Sequence, residues 1–211
     1  MIQISSFAFN PFQENTYVLH DETKECIIID PGCYSPLEQA ELSTFIENEG
    51  LKPVRLILTH CHIDHILGCK YISELYNLIS ETNKIEIPVF ENAERAAAIF
   101  GIRLEKPPVP GKFIDEKDVI KFGNSSLEIL FTPGHSPGSL CFYNNEQKFV
   151  IGGDVLFHGS IGRTDLPGGN FDTLISSIKE KLFSLGDDVT VYPGHGQETT
   201  IGFEKANNPF L

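Results

Sequence analysis

The chain has 211 residues, enough for one domain over 1–211 with a sizeable core. Its 16 basic and 29 acidic residues give a formal net charge of −13, and no lysine or arginine cluster stands out, which argues against a nucleic-acid partner. No apolar run approaches the length of about 18 residues that a membrane span needs, so no membrane association is expected. Cys26, Cys33, Cys61, Cys69 and Cys141 are odd in number and scattered, which reads as reduced thiols rather than a disulfide framework. Residues 1–10 lack a basic stretch followed by a long apolar one, so a cytoplasmic location is expected.

Residues 2–9 and 16–20 read as strands around the turn Asn10-Pro11-Phe12-Gln13. His20, in an acidic turn, is expected at the surface. Residues 26–29 read as a buried strand ending at Asp30-Pro31-Gly32, where the aspartate suits the opening of a tight turn. Helical spacing over 37–48 involves Leu37, Leu42, Phe45 and Ile46, with Gly50 as the stop. Residues 51–58 form the next strand, 71–79 an amphipathic helix, 88–90 a short strand and 91–100 an alanine-rich helix. The proline-rich stretch 101–112 reads as a stiff surface link or as a loop bordering a pocket. Hairpin-like pairs follow around Gly123-Asn124 and around Asn144-Asn145. A helix over 173–185, with Asp172 as its N-cap, and a short helix near 202–206 complete the chain.

The strand over 51–58 runs into Thr59-His60-Cys61-His62-Ile63-Asp64-His65. In an extended segment His60 and His62 point the same way, and Asp64 and His65 follow where the chain turns towards a helix. Neutral imidazole and carboxylate are ligands for zinc, iron or manganese. Cys61 faces the opposite way and reads as a small buried filler. Three further apolar runs each end in a potential ligand: 127–131 leads to His135, 149–151 to Asp154, and 189–192 to His195. Ligands at the ends of strands share one edge of an α/β architecture. Pro133-Gly134-His135 and Pro193-Gly194-His195 are the same tripeptide.

The set His60-Cys61-His62-Ile63-Asp64-His65, His135, Asp154 and His195 resembles the metallo-β-lactamase superfamily, and within it the compact glyoxalase II-like hydrolases. Ile29-Asp30-Pro31-Gly32, Thr132 through Ser139, Gly162-Arg163-Thr164-Asp165 and Asn208-Pro209-Phe210 extend the likeness. The resemblance implies an α/β (α+β) fold, the four-layer αβ/βα sandwich. It implies two divalent metal ions, zinc first with iron or manganese as alternatives. His60, His62 and His135 would hold one, and Asp64, His65 and His195 the other. Asp154 would bridge them, with Asp30 orienting a ligand from behind. Asp64 and Asp154 are thereby the catalytic carboxylates.

The implied chemistry is hydrolysis of a small-molecule thioester by a metal-bound hydroxide. With few residues after Asn208-Pro209-Phe210, no C-terminal glutathione-gripping region like that of glyoxalase II proper is expected. Asp154 stands where some zinc β-lactamases have cysteine, which weakens a lactam reading. The main alternative is a persulfide dioxygenase with one iron on His60, His135 and Asp154. Arg163 could pair with a substrate carboxylate or internally with Asp165. His158 is a candidate pocket residue that matches no ligand position.

Overall fold

A computed structural model describes residues 1–211 as two six-stranded sheets packed face to face, with helices on both outer faces. The first sheet runs β1 (Gln3–Phe9), β2 (Glu14–His20), β3 (Glu25–Ile29), β4 (Lys52–Ile57), β5 (Ser80–Thr82) and β6 (Lys112–Phe113), in that spatial order. The second contains β7 (Val119–Phe122), β8 (Ser125–Phe131), β9 (Leu140–Asn144), β10 (Phe149–Gly153), then β13 (Thr190–Pro193) and β14 (Thr199–Thr200). Between these last pairs, β11 (Leu156–Phe157) and β12 (Ser160–Ile161) form a separate small hairpin.

The central strands are apolar on both faces because both faces are covered. In β3, Ile27 and Ile29 enter the core between the sheets, while Cys26 and Ile28 face the helix side. In β9, Leu140 and Phe142 point inward, and Cys141 and Tyr143 point outward. The outer face of the first sheet is covered by α1 (Pro36–Asn48) and α3 (Cys69–Tyr76), through Leu42, Ile46 and Ile72. The outer face of the second is covered by α6 (Phe171–Ser177), through Leu174, and by the turns that continue it to Leu185. The result is the expected four-layer order of helix, sheet, sheet and helix.

Parallel pairs need a crossover, and each has one. α1 joins β3 to β4; α2 (Ile63–Ile66) and α3 join β4 to β5; α6 and its continuation join β10 to β13. Ser35 caps α1 in a reciprocal box. Its hydroxyl accepts from the Glu38 N–H at 3.3 Å, and its own N–H donates to the Glu38 carboxylate at 2.7 Å.

Several local expectations are corrected. Residues 88–90 are not a strand but part of α4 (Ile87–Glu91), whose first turn accommodates Pro88, followed by α5 (Ala93–Ile99). The helix expected over 71–79 is Cys69–Tyr76, because Asn77 takes a left-handed conformation and ends it. Leu37 is exposed, and the buried face of α1 begins at Leu42. Asn170, not Asp172, caps α6, its side chain accepting from the Thr173 N–H. His20 is buried rather than superficial. All five cysteines are free and buried.

β5 carries the one near-buried ion pair away from the site. Glu81 binds Arg55 through two hydrogen bonds of 2.9 and 2.6 Å, and Lys112 of β6 at 2.9 Å. Burial raises the Glu81 pKa, but these two cations more than offset it and hold it below the usual range. A depressed carboxylate pKa stabilises the fold above the unfolded-state value and loses that contribution as pH falls through the folded-state value. Glu81→Ala is therefore expected to cost about 3 kcal/mol at neutral pH. Urea denaturation should show this gap closing below about pH 4.3, the ordinary glutamate value. A gap independent of pH would mean that the pair is not its source.

Candidate metal centre

Every sequence-predicted ligand reaches the same edge of the two sheets. His60 and His62 follow β4, Asp64 and His65 lie in α2, His135 lies in the loop after β8, Asp154 follows β10, and His195 follows β13. Cross-sheet hydrogen bonds bring these loops together. The Leu140 N–H donates to the Thr59 carbonyl at 2.9 Å, the Asn15 N–H to the Gly194 carbonyl at 2.7 Å, and the Tyr17 hydroxyl to the Pro193 carbonyl at 2.7 Å. Gly194 is required beside Asp154, because a Cβ there would collide with the Asp154 carboxylate and the His65 ring.

The donor atoms fall into two groups, His60 with His62 and His135, and Asp64 with His65 and His195. A third grouping of Asp30, His60 and His65 is geometric overlap. The Asp30 carboxylate already accepts from the Thr59 N–H at 2.7 Å, the Thr59 hydroxyl at 2.6 Å and His65 Nδ1 at 3.0 Å. One oxygen of Asp154, Oδ2, lies 3.4 Å from His135 Nε2 and 3.5 Å from His195 Nε2, so it stands between the two groups.

Hydrogen bonding assigns the tautomers. Carbonyls only accept, so His135 Nδ1 donates to the Arg163 carbonyl at 2.7 Å, and His195 Nδ1 donates to the Phe12 carbonyl at 3.1 Å. His65 Nδ1 donates to Asp30. The Thr59 hydroxyl gives its proton to Asp30, so its oxygen accepts from His60 Nδ1 at 3.0 Å. In their neutral forms, these four histidines all present an Nε2 lone pair to the site. His135 Nε2 is 2.8 Å from His62 Nδ1 and 3.2 Å from His60 Nε2. His65 Nε2 and Asp154 Oδ1 are buried with no hydrogen-bond partner, although they lie 3.4 Å apart. Converging lone pairs and orphaned buried polar atoms fit bound cations.

The electrostatics of the two groups differ. Burial, with His135 nearby, holds His62 down at about 3. Burial likewise keeps His60 well below, and His135 below, the ordinary imidazole value. Burial opposes the charge of His65, but the carboxylates of Asp154, Asp64 and Asp30 prevail and raise it well above that value. His195 is raised to about 9 against burial, through its contacts with Asp154 and Asp64. A cation entering the second group competes with protons there, so its affinity rises with pH.

Two buried carboxylates escaped the sequence reading. Glu86, in the turn before α4, accepts from the Cys61 N–H at 2.8 Å, the Ser136 hydroxyl at 2.7 Å and the Gly138 N–H at 2.6 Å. It thus ties the segment carrying His60 and His62 to the loop carrying His135. Glu14 lies fully buried beneath His65, and burial raises its pKa well above the carboxylate range. Cys61 is buried, as expected. The Arg163 guanidinium is taken by Asp165 in a two-pronged pair at 2.7 Å. His158 stacks on Phe203 at 4.8 Å and does not line the site cavity, nor does any residue of 101–112.

A family model for the metallo-beta-lactamase superfamily matches residues 9–195. The hydroxyacylglutathione hydrolase GloC of Haemophilus influenzae is 40% identical over 202 residues, covering 95% of this chain and 93% of its own. The crystal structure of the BLEG-1 B3 metallo-beta-lactamase superposes with a TM-score of 0.91 at 33% identity, covering 99% of both chains. That of TTHA1623 in a di-iron-bound form superposes with a TM-score of 0.89 at 37% identity, covering 98% of this chain and 100% of its own.

Asp30 holds His65 by its Nδ1 proton, and such partners set both ring orientation and basicity. Asp30→Ala is expected to weaken metal binding about 10- to 100-fold. Competition with a chromophoric chelator measures this, and unchanged affinity would remove Asp30 from that role.

Proposed function

The chain belongs to the metallo-β-lactamase superfamily, and from that membership we propose that it is a metal-dependent thioester hydrolase with glyoxalase II-like chemistry. The observation that carries this reading is the double donor set with Asp154 Oδ2 between its halves. His60, His62 and His135 would hold one divalent ion, and Asp64, His65 and His195 the other, with zinc as the first candidate and iron or manganese as alternatives. Bound cations would lower the pKa of a water and polarise a carbonyl oxygen. The di-iron form of TTHA1623 supports a two-metal site and keeps iron in view.

In the net reaction a bond forms between the acyl carbon and a water oxygen, and the carbon–sulfur bond breaks. The products are a carboxylate and a thiol, with the remaining proton passing to solvent. Thiolates leave without strong acid assistance, and beyond the donor residues the cavity offers only Asn92, Ser160 and the tied-up Arg163 as polar side chains. Asp64 and Asp154 would supply the negative charge that draws cations to the floor of the site, and the Nδ1 contacts of His60, His65, His135 and His195 fix the direction of those four rings.

A one-iron site on His60, His135 and Asp154 would leave the second donor group, with its orphaned His65 Nε2, without a purpose. The likeness to a B3 β-lactamase reduces the weight of a missing cysteine ligand and makes a carbapenem the natural control. The metal-loaded protein is expected to hydrolyse acyl-glutathione thioesters anaerobically, with free thiol appearing in a thiol-reagent assay. An oxygen requirement with sulfite release would overturn the proposal, as would carbapenem turnover with the higher kcat/KM.

Asp154→Ala removes the buried carboxylate that would stand between the two cations and offset their mutual repulsion. It is expected to yield a folded protein with about one metal per chain and a kcat lower by about 100-fold or more. His158→Ala should retain both metals. Two tightly held metals in Asp154→Ala, by elemental analysis after dialysis, would remove Asp154 from the bridging position.

A further inference from the structure

The donor residues form only the floor of a cavity of about 780 Å³. Its walls are chemically one-sided. Val89 of α4 and Ala93 and Ala96 of α5 form one wall. The alanines are three residues apart, on one helix face, and their small side chains leave the space open. Phe12 and Phe100 close one side, meeting edge to face with centroids 5.4 Å apart. Pro137, Leu166 and Pro167 also line the cavity. Arg163 is the only charged side chain of the lining beyond the donor residues, and Asp165 occupies both prongs of its guanidinium.

We propose that this cavity takes the apolar acyl group of a thioester carried on an uncharged thiol. This specificity rests on the thioesterase reading above. An aliphatic chain entering the cavity exchanges water for apolar side chains, a gain of about 0.8 kcal/mol per methylene, or about fourfold in kcat/KM. A polar hydroxyacyl group gains less, because few polar groups of the walls can pair with its hydroxyl. A thiol with carboxylates, such as glutathione, finds in the lining a single cation, Arg163, already paired with Asp165, on a chain of net charge −13. Ala96 is thereby a specificity-determining residue, half-buried at the cavity wall.

The experiment compares acetyl, butyryl and hexanoyl thioesters of N-acetylcysteamine, a neutral thiol, with the same acyl groups on glutathione, using the metal-loaded chain. The expected result is a kcat/KM that climbs about fourfold per added methylene until the cavity fills, with the neutral thiol favoured at each length. Ala96→Phe should lower the hexanoyl-to-acetyl ratio tenfold or more, whereas a general loss of structure would lower both alike. A flat series, or faster glutathione esters at every length, overturns this specificity while the thioesterase reading stands. An Ala96→Phe variant whose ratio equals that of the parent also overturns it. Failure of every thioester overturns both.

Discussion

The site depends on one buried carboxylate. Asp30 sits at the end of β3 in a left-handed backbone conformation, with φ of 49°, and accepts three hydrogen bonds within 3.0 Å. Two come from Thr59, one step before the histidine cluster, and one from His65 within it. A buried carboxylate is tolerable only when its lone pairs are filled. The requirement to satisfy Asp30 therefore fixes where β4 stops and how α2 begins. Through the Thr59 hydroxyl the same group also sets the tautomer of His60. Glu86 does the equivalent across the seam, with the backbone at Cys61 and Gly138 and the Ser136 hydroxyl as its donors. Two carboxylates that hydrogen-bond to no ring of the first group thus hold together the segments that carry its three histidines.

The ligands were legible in the sequence because each follows an apolar strand and precedes or ends a turn, so that residue type and position agree. The four layers were legible for a related reason: strands such as β3 and β9 are apolar without alternation, which only burial on both faces explains. The donor groupings came with the family resemblance, and the geometry shows their convergence. Glu86 and Glu14 were illegible, since a glutamate in an ordinary polar stretch carries no mark of burial until distant donors are placed around it. His20 was misread for the same reason. The strands β5, β6, β11, β12 and β14 have two or three residues each, too few for any period to show. α4 was lost because Pro88-Val89-Phe90 fits a short strand as well as the first turn of a helix.

The twin tripeptides show how a shared local sequence serves two purposes. In Pro133-Gly134-His135 the glycine lies against the backbone of Leu174, so it lets α6 approach the second sheet. In Pro193-Gly194-His195 it makes room for Asp154. One glycine governs packing between layers and the other the space inside the centre, although both present a histidine at the same distance along the chain.

The state of the cysteines bears on the environment in which such a protein works. All five thiols are buried, and burial pushes Cys26, Cys33 and Cys141 up to about 12, with Cys61 and Cys69 raised well above their ordinary value. The reactive thiolate form is then almost absent at neutral pH. Under the thioester hydrolysis proposed above, the protein would be chemically silent towards the thiol it releases and towards the disulfides that thiol becomes in air. It has no bridge for the product to reduce and no nucleophile to be captured by it.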